Sequence, residues 1–318
     1  MKRLGIAAIA LTAGTLLVGS PVFGQKTSQQ GQGRAIVTVL PSAKTGNAGQ
    51  ILARDLKLKV NGKESTVTSF NQLQESNSPV ELVLLLDAGA RASLGTQFSD
   101  IQTFVREMPP NTRMAIAYMQ HGRAVFSSQL SSNAADVLKG LHLSPGIPGE
   151  NASPYFCLSD LAENWPSHDR TARREVVMIT DGVDNYERRF DPQDPYVQTA
   201  IKDSIRAGLL VYPIYWKNTG RANNTRYESD AGQNLLLLVA QATGGNSYWQ
   251  GLGNPVSLQP FFQDLRRRLS NQYEVSFTAP SNGKTEVKSL KVDLHVPSAK
   301  VASPKQVLVT GPVSARGE

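Results

Sequence analysis

The chain of 318 residues reads as an α/β protein, a doubly wound and mostly parallel sheet inserted between β segments. Three observations predict this. Between residues 80 and 270, short apolar runs alternate with stretches whose apolar residues recur at helical spacing, the pattern of a parallel sheet covered on both faces. Two of those runs, 80–86 and 175–180, hold consecutive apolar residues (82–86 and 176–179), as strands buried on both faces do. On either side lie segments that alternate with period two, 56–60 and 290–296, each with a single apolar face.

The elements follow in order. Residues 1–24 have the three parts of a secretory signal: the cations Lys2 and Arg3, an apolar run over 4–19, and Ser20-Pro21-Val22-Phe23-Gly24 before a cleavage point at Gln25. No second apolar run is long enough to span a bilayer, so the expectation is a secreted or periplasmic protein with no stable membrane insertion. Residues 25–33 are rich in Gln, Gly and Ser and are expected as a disordered leader. The first β segment covers 34–76, with strands at 36–40, 56–60 and 66–70 and an Asn61-Gly62 hairpin turn, where both positions need positive φ.

The α/β unit is expected over 77–271. Its helices fall at 98–105, 134–141, 156–165, 197–207, 235–242 and 258–269, and its strands at 80–86, 114–119, 124–126, 175–180 and 209–215. Residues 272–318 hold the second β segment and a tail, with Asn282-Gly283 as the turn. A two-stranded hairpin is marginal in water, so the two flanks are expected to share one small β-sandwich-like module.

Composition excludes several function classes. Loss of Lys2 and Arg3 with the signal lowers the net charge of +7 by two, too little for a protein that wraps a polyanion, so no nucleic-acid partner is expected. The single cysteine, Cys157, excludes a disulfide framework, a multi-cysteine zinc site and an iron–sulfur cluster. It lies in an apolar stretch and reads as a small core residue. The chain has no nucleophile elbow, phosphate loop, CxxC or HExxH, and the expectation is a non-enzymatic protein.

Two buried strands each end in an aspartate, Asp87 and Asp181. In doubly wound sheets, ligands bind outside the carboxyl ends of the strands. Two carboxylates placed there need a metal, a guanidinium or a raised pKa as compensation. The other reading is that each aspartate caps the turn that follows it. A polar stretch over 217–231 is expected as a long surface loop near the same end, with Trp216, Tyr227 and Trp249 as aromatic anchors or, for Trp249, as cover for the sheet edge. Arg266-Arg267-Arg268 reads as a solvated helix face.

These residues resemble the von Willebrand factor A (VWA) domain family. Asp87 matches the first aspartate of the family's Asp-x-Ser-x-Ser motif, and Asp181-Gly182 matches its later Asp-Gly. Ala242-Thr243-Gly244-Gly245, and Gln272-Tyr273-Glu274-Val275 after the last helix, are similar to the family's ending. The flank from Leu58 to Lys63, then Phe70, looks like the bacterial secreted VWA-related proteins grouped in Acidobacteria. The resemblance implies a protein-binding domain with a metal-ion-dependent adhesion site.

The departures are local. Where the family has Asp-x-Ser-x-Ser, this chain has Asp87-Ala88-Gly89-Ala90-Arg91, which removes two hydroxyl ligands. A hard cation wants about six oxygens, so their loss weakens binding. The expected ligand-binding residues are Asp87, Gly89, Arg91, Ser93, Ser153 and Asp181. No metal or other cofactor is favoured; an Mg²⁺, if present, would take Asp87, Ser93, Ser153 and Asp181. Arg91 is expected to take the electrostatic role of the ion by pairing with an aspartate, or else to point into solvent. The functional expectation is a secreted VWA-type binding or adhesion protein with a degenerate site, whose partner is a protein or an extracellular or envelope component. The alternatives are a structural or assembly module of an extracytoplasmic complex and, last, a metal-assisted hydrolase.

Overall fold

The computed structural model describes residues 29–42, 49–74, 78–143, 153–184, 190–218 and 225–311. The expected signal peptide at 1–24 and residues 25–28 of the expected leader lie outside these. The chain begins with β1 (Gln29–Pro41), β2 (Leu56–Val60) and β3 (Lys63–Gln72). Then come β4 (Val80–Asp87), α1 (Arg91–Gly95), α2 (Phe98–Arg106), β5 (Thr112–Gln120), β6 (Arg123–Phe126), α3 (Ala134–Leu138) and α4 (Pro154–Glu163). The α/β part continues with β7 (Arg173–Thr180), α5 (Pro195–Ala207), β8 (Leu209–Tyr215), α6 (Arg226–Thr243) and α7 (Gln259–Leu269). The chain closes on β9 (Gln272–Ser281), β10 (Glu286–Leu294), β11 (Ala299–Ala302) and β12 (Gln306–Thr310).

The central sheet has five strands in the order β6-β5-β4-β7-β8. β4 runs parallel to both β5 and β7, β7 runs parallel to β8, and β6 is an antiparallel edge. The leucine-rich run of β4 is buried along its whole length because it faces two cores. Val83 and Leu85 join the core with α4, α5 and α6, while Leu82, Leu84 and Leu86 join the one with α2 and α7. Truncating a side chain such as Leu84 to Ala costs about 2–5 kcal/mol at sites of this kind.

The flanks form one body. β10 pairs with β2 from Leu290↔Val60 to Leu294↔Leu56, and β9 pairs with both β3 and β1. All these pairings are antiparallel, and the ring β1-β12-β10-β2-β3-β9 closes back on β1, with β11 attached to its far half. The flank module is thus barrel-like rather than the expected sandwich. Closure leaves the apolar faces of Val37, Leu58, Phe277 and Val309 inside one core. Asn61 (φ 48) and Gly62 (φ 75) make the predicted hairpin turn.

Two expectations are corrected here. Residues 29–33, expected within the disordered leader, are the first part of β1, paired with β9 and β12. Their glycines serve close packing: a Cβ on Gly33 would stand 2.4 Å from the Phe277 ring, and one on Gly31 would stand 2.5 Å from the Thr310 carbonyl oxygen. The long loop expected over 217–231 is helical from Arg226, because Thr225 and Glu228 form a capping box; residues 219–224 lie outside the described ones. β11 and β12 were not anticipated.

The barrel adjoins the amino-terminal ends of the parallel strands. Arg173, first in β7, donates to Gln272, first in β9, and to the Leu269 and Ser78 carbonyl oxygens. Gln272 Nε2 in turn donates to Glu175 Oε1 at 2.9 Å and to the Tyr212 hydroxyl at 3.1 Å. The carboxyl ends of the strands, where Asp87 and Asp181 lie, face away from the barrel.

Candidate functional site

Asp87 closes β4 and Asp181 follows β7, its parallel neighbour; both are buried. Asp87 Oδ1 accepts from the Gly89 amide at 2.8 Å, and Oδ2 accepts from the Thr180 hydroxyl at 2.9 Å. Asp181 Oδ1 accepts from the Val183 amide at 3.0 Å. A third buried carboxylate, Asp184, accepts from the Ser153 hydroxyl at 2.6 Å. Ser153 is the N-cap of α4, where Pro154 at the first helical position suits the preset φ. The Tyr155 hydroxyl donates to the Gly182 carbonyl at 2.8 Å. Burial first, then Asp181, Asp184 and Asp194, hold that hydroxyl well above the usual tyrosine range.

The Asp181 loop is held by backbone contact. Gly182 has φ 70, a conformation that glycine adopts without strain. A Cβ on Gly182 would stand 2.7 Å from the Gly232 carbonyl oxygen, and one on Gly232 would stand 2.1 Å from that of Asp181. Helix α6 therefore packs directly against the loop through two glycines.

The other expected residues have other partners. Ser93 donates to the Ala90 carbonyl at 2.6 Å and accepts from Trp216 Nε1 at 3.1 Å. Gly89 contributes its amide to Asp87 and no side chain. Arg91 opens α1, but its side chain lies outside the described residues. The structure thus brings Asp87, Asp181 and Ser153 to one end of the sheet, with Ser93 bonded away toward Trp216. Among the described residues, no group of three His, Cys, Asp or Glu side chains is placed to hold a metal ion. The oxygens at hand are hard donors, yet of the four residues named for Mg²⁺, Ser93 is turned aside and Ser153 is bonded to Asp184. That arrangement does not fit the named ligand set.

No family profile and no curated protein sequence matches the chain. Solved structures similar to it include an aerotolerance-related membrane protein from Bacteroides fragilis, with 14% identity, 60% of this chain and 98% of that one covered, and a TM-score of 0.44. BatB from Bacteroides thetaiotaomicron also has 14% identity, with 60% and 98% covered and a TM-score of 0.45. The SpRpn10 VWA domain has 11% identity, with 59% and 95% covered and a TM-score of 0.41.

Three residues of the cluster were missed by sequence reasoning: Thr180, Asp184 and Tyr155. Thr180 directly precedes Asp181, and Asp184 lies three residues beyond it, so both sit in a segment already singled out. Tyr155 carries no such signal, since its role depends on how α4 packs against the loop. Cys157 is buried beneath the same end, and burial, then Asp87 and Asp160, raise its thiol far from the thiolate. Of the aromatic anchors, Trp216 is buried at 2% exposure, while Tyr227 (67%) and Trp249 (41%) reach solvent. Trp249 opens a loop fixed by reciprocal bonds between Lys217 and Asn254 and by Gln97 on the Val256 carbonyl. Val256, at 91% exposure, projects from that loop.

Proposed function

We propose that the chain is a secreted or periplasmic, non-enzymatic binding protein of the VWA type. It engages a protein or envelope component at the carboxyl end of its parallel sheet, and its metal-ion-dependent adhesion site is degenerate at Gly89 and Arg91. The observation behind this reading is the bonding of Asp87, Asp181 and Asp184 to donors of their own chain, beside a fixed loop that exposes Trp249 and Val256. Carboxylates held this way organise loops, and exposed apolar side chains on a rigid loop are the kind of group that carries interface energy. Nucleophilic chemistry finds little support: the Cys157 thiol is buried, and the Ser153 hydroxyl is bonded to a carboxylate with no imidazole.

The test is capture from an envelope fraction by immobilised full-length mature protein. Wild type should retain a partner that Arg91→Ala and the pair Trp249→Ala with Val256→Ser release, and phosphatase and esterase substrates should not turn over. Turnover abolished by Asp87→Asn would overturn the non-enzymatic reading. Capture unaffected by all three substitutions would favour an assembly module working through the barrel.

A further inference from the structure

At the opposite end of the sheet, a cavity of about 720 Å³ opens between the barrel and the α/β unit. That size lies within the range of small-molecule sites, about 300–1,000 Å³. Five arginines line it, Arg34, Arg170, Arg173, Arg174 and Arg206, against a single carboxylate residue, Glu274, with the Arg173 guanidinium already bonded to Gln272 and to the Leu269 and Ser78 carbonyls. They come from four places in the chain: β1, the approach to β7, the start of β7 and the last turn of α5. Gly33 and Phe277 also line the cleft, and the absence of a side chain at Gly33 lets the Phe277 ring lie close against β1.

The cations are only partly neutralised. Arg34 pairs with Glu274 at 3.1 Å and Arg206 with Asp203 at 3.2 Å, and both arginines remain more than half exposed. Arg170 is exposed and makes no ion pair among the described residues. Arg174 donates to the carbonyls of Ser167, Asp169 and Ala207 and stands 5.5 Å over the Trp165 ring, so its position is fixed. Burial, and after it the Arg170 charge, make the Arg174 guanidinium easier to deprotonate, with Glu81 and Asp169 opposing them. Asp169, the residue before Arg170, turns its Oδ1 to the Thr171 amide and hydroxyl.

We propose that this cleft binds a small polyanion carrying two or more phosphate or carboxylate groups. Arginine forks match both oxyanions bidentately, and a walled cleft lined by one sign of charge concentrates the opposite sign. Arg174 is pre-positioned, while Arg34, Arg170 and Arg206 close on the ligand from the rim. The site is separate from Asp87 and Asp181. Arg174 and Asp181 stand at opposite ends of β7, roughly 23 Å apart at about 3.3 Å per residue.

Calorimetric titration of the full mature chain at low ionic strength tests this, with pyrophosphate and citrate as probes. Binding of either at sub-millimolar concentration, weakening as salt is added, is expected. A preference for pyrophosphate assigns the site to phosphate groups, and a preference for citrate assigns it to carboxylates. Arg170→Ala with Arg206→Ala, both on the surface, should weaken binding at least about tenfold, while the remote surface change Lys139→Ala leaves it unaltered. Circular dichroism checks that the variants are folded. Absence of heat with both probes at millimolar concentration overturns the proposal. So does equal weakening by Lys139→Ala, which would mean that only net charge is felt.

Discussion

The Thr180 hydroxyl donates to Asp87 Oδ2 at 2.9 Å across the parallel pair of β4 and β7. Thr180 Oγ1 also accepts from the Gly182 amide at 3.3 Å, so one side chain ties together the loops that carry Asp87 and Asp181. Thr180→Val keeps the shape and removes both bonds. It leaves a buried carboxylate with one donor fewer, at a cost of about 1–3 kcal/mol. The urea midpoint should fall with the slope unchanged, and Thr180→Ser should recover most of the loss. A midpoint that does not move would mean that Asp87 finds another donor.

Gly232 sits inside α6, where replacing Gly by Ala ordinarily stabilises a helix by up to about 1 kcal/mol. Here the added Cβ would stand 2.1 Å from the Asp181 carbonyl oxygen, which is backbone and not the end of a flexible side chain. Overpacking of this kind costs about 1–3 kcal/mol, so the sign should reverse. Gly232→Ala should lower the melting temperature and shift the amide resonances of Asp181 and Gly182. Stabilisation would mean that α6 can move off the loop freely.

Much of this architecture was legible because burial writes itself into periodicity. Between its two acids, Glu81 and Asp87, the run in β4 is apolar without a break because the strand meets two cores, and the period-two segments at β2 and β10 share one module, where they pair directly. The start of β1 was not legible, because a strand that needs Gly31 and Gly33 for close approach has the composition of a linker. Barrel closure was hidden for a related reason: β11 and β12 are short and flank Pro304, and their pairing is set by contacts far away in sequence. At the site, Asp87 and Asp181 stood out because they end buried strands. Which hydroxyl each would meet depended on the packing of α4 and on neighbouring strand ends, so Thr180 and Asp184 appeared only with the fold.

Glu175 is fully enclosed between β7, β8 and the start of β9. Burial pushes its carboxyl up to about 7, against the Arg173 charge and hydrogen bonds from Gln272 and Tyr212. A folded value above the unfolded one means that the native state holds the proton more tightly. The associated stability is complete below the unfolded value of 4.5 and is lost as pH rises through about 7. The loss is on the order of 3 kcal/mol, at 1.36 kcal/mol per unit. Denaturant midpoints should therefore fall between mildly acidic and mildly alkaline pH. Glu175→Gln should flatten that slope while keeping the bond to Gln272. A wild-type midpoint that rises across the same window would show that Arg173 dominates and keeps the carboxylate charged.

Signal cleavage is open to direct measurement. Edman degradation or mass spectrometry of exported protein should place the N-terminus at or near Gln25. Intact Met1 on the soluble protein would sink the assignment.

On the proposed reading, the loop after Asp87 is degenerate. Gly89 offers its amide to Asp87 and no oxygen ligand, and Arg91 places a permanent cation on the same loop. An added Mg²⁺ would lack ligands, since a hard ion wants about six oxygens in near-octahedral order. Calorimetry with Mg²⁺ or Mn²⁺ should show no tight site in the wild type. Gly89→Ser with Arg91→Ser should create one, because two hydroxyls return and the loop's cation leaves; a further Asp87→Ala should remove it again. Tight binding by the wild type, abolished by Asp87→Ala, would mean that hydroxyls such as Thr180 or Ser153 leave their present bonds to complete a shell, and the loop is not degenerate. No gain in the double variant would mean that Asp87 and Asp181 do not converge on an ion. Their bonds to Gly89, Thr180 and Val183 would then be their whole role, as caps that shape the end of the sheet.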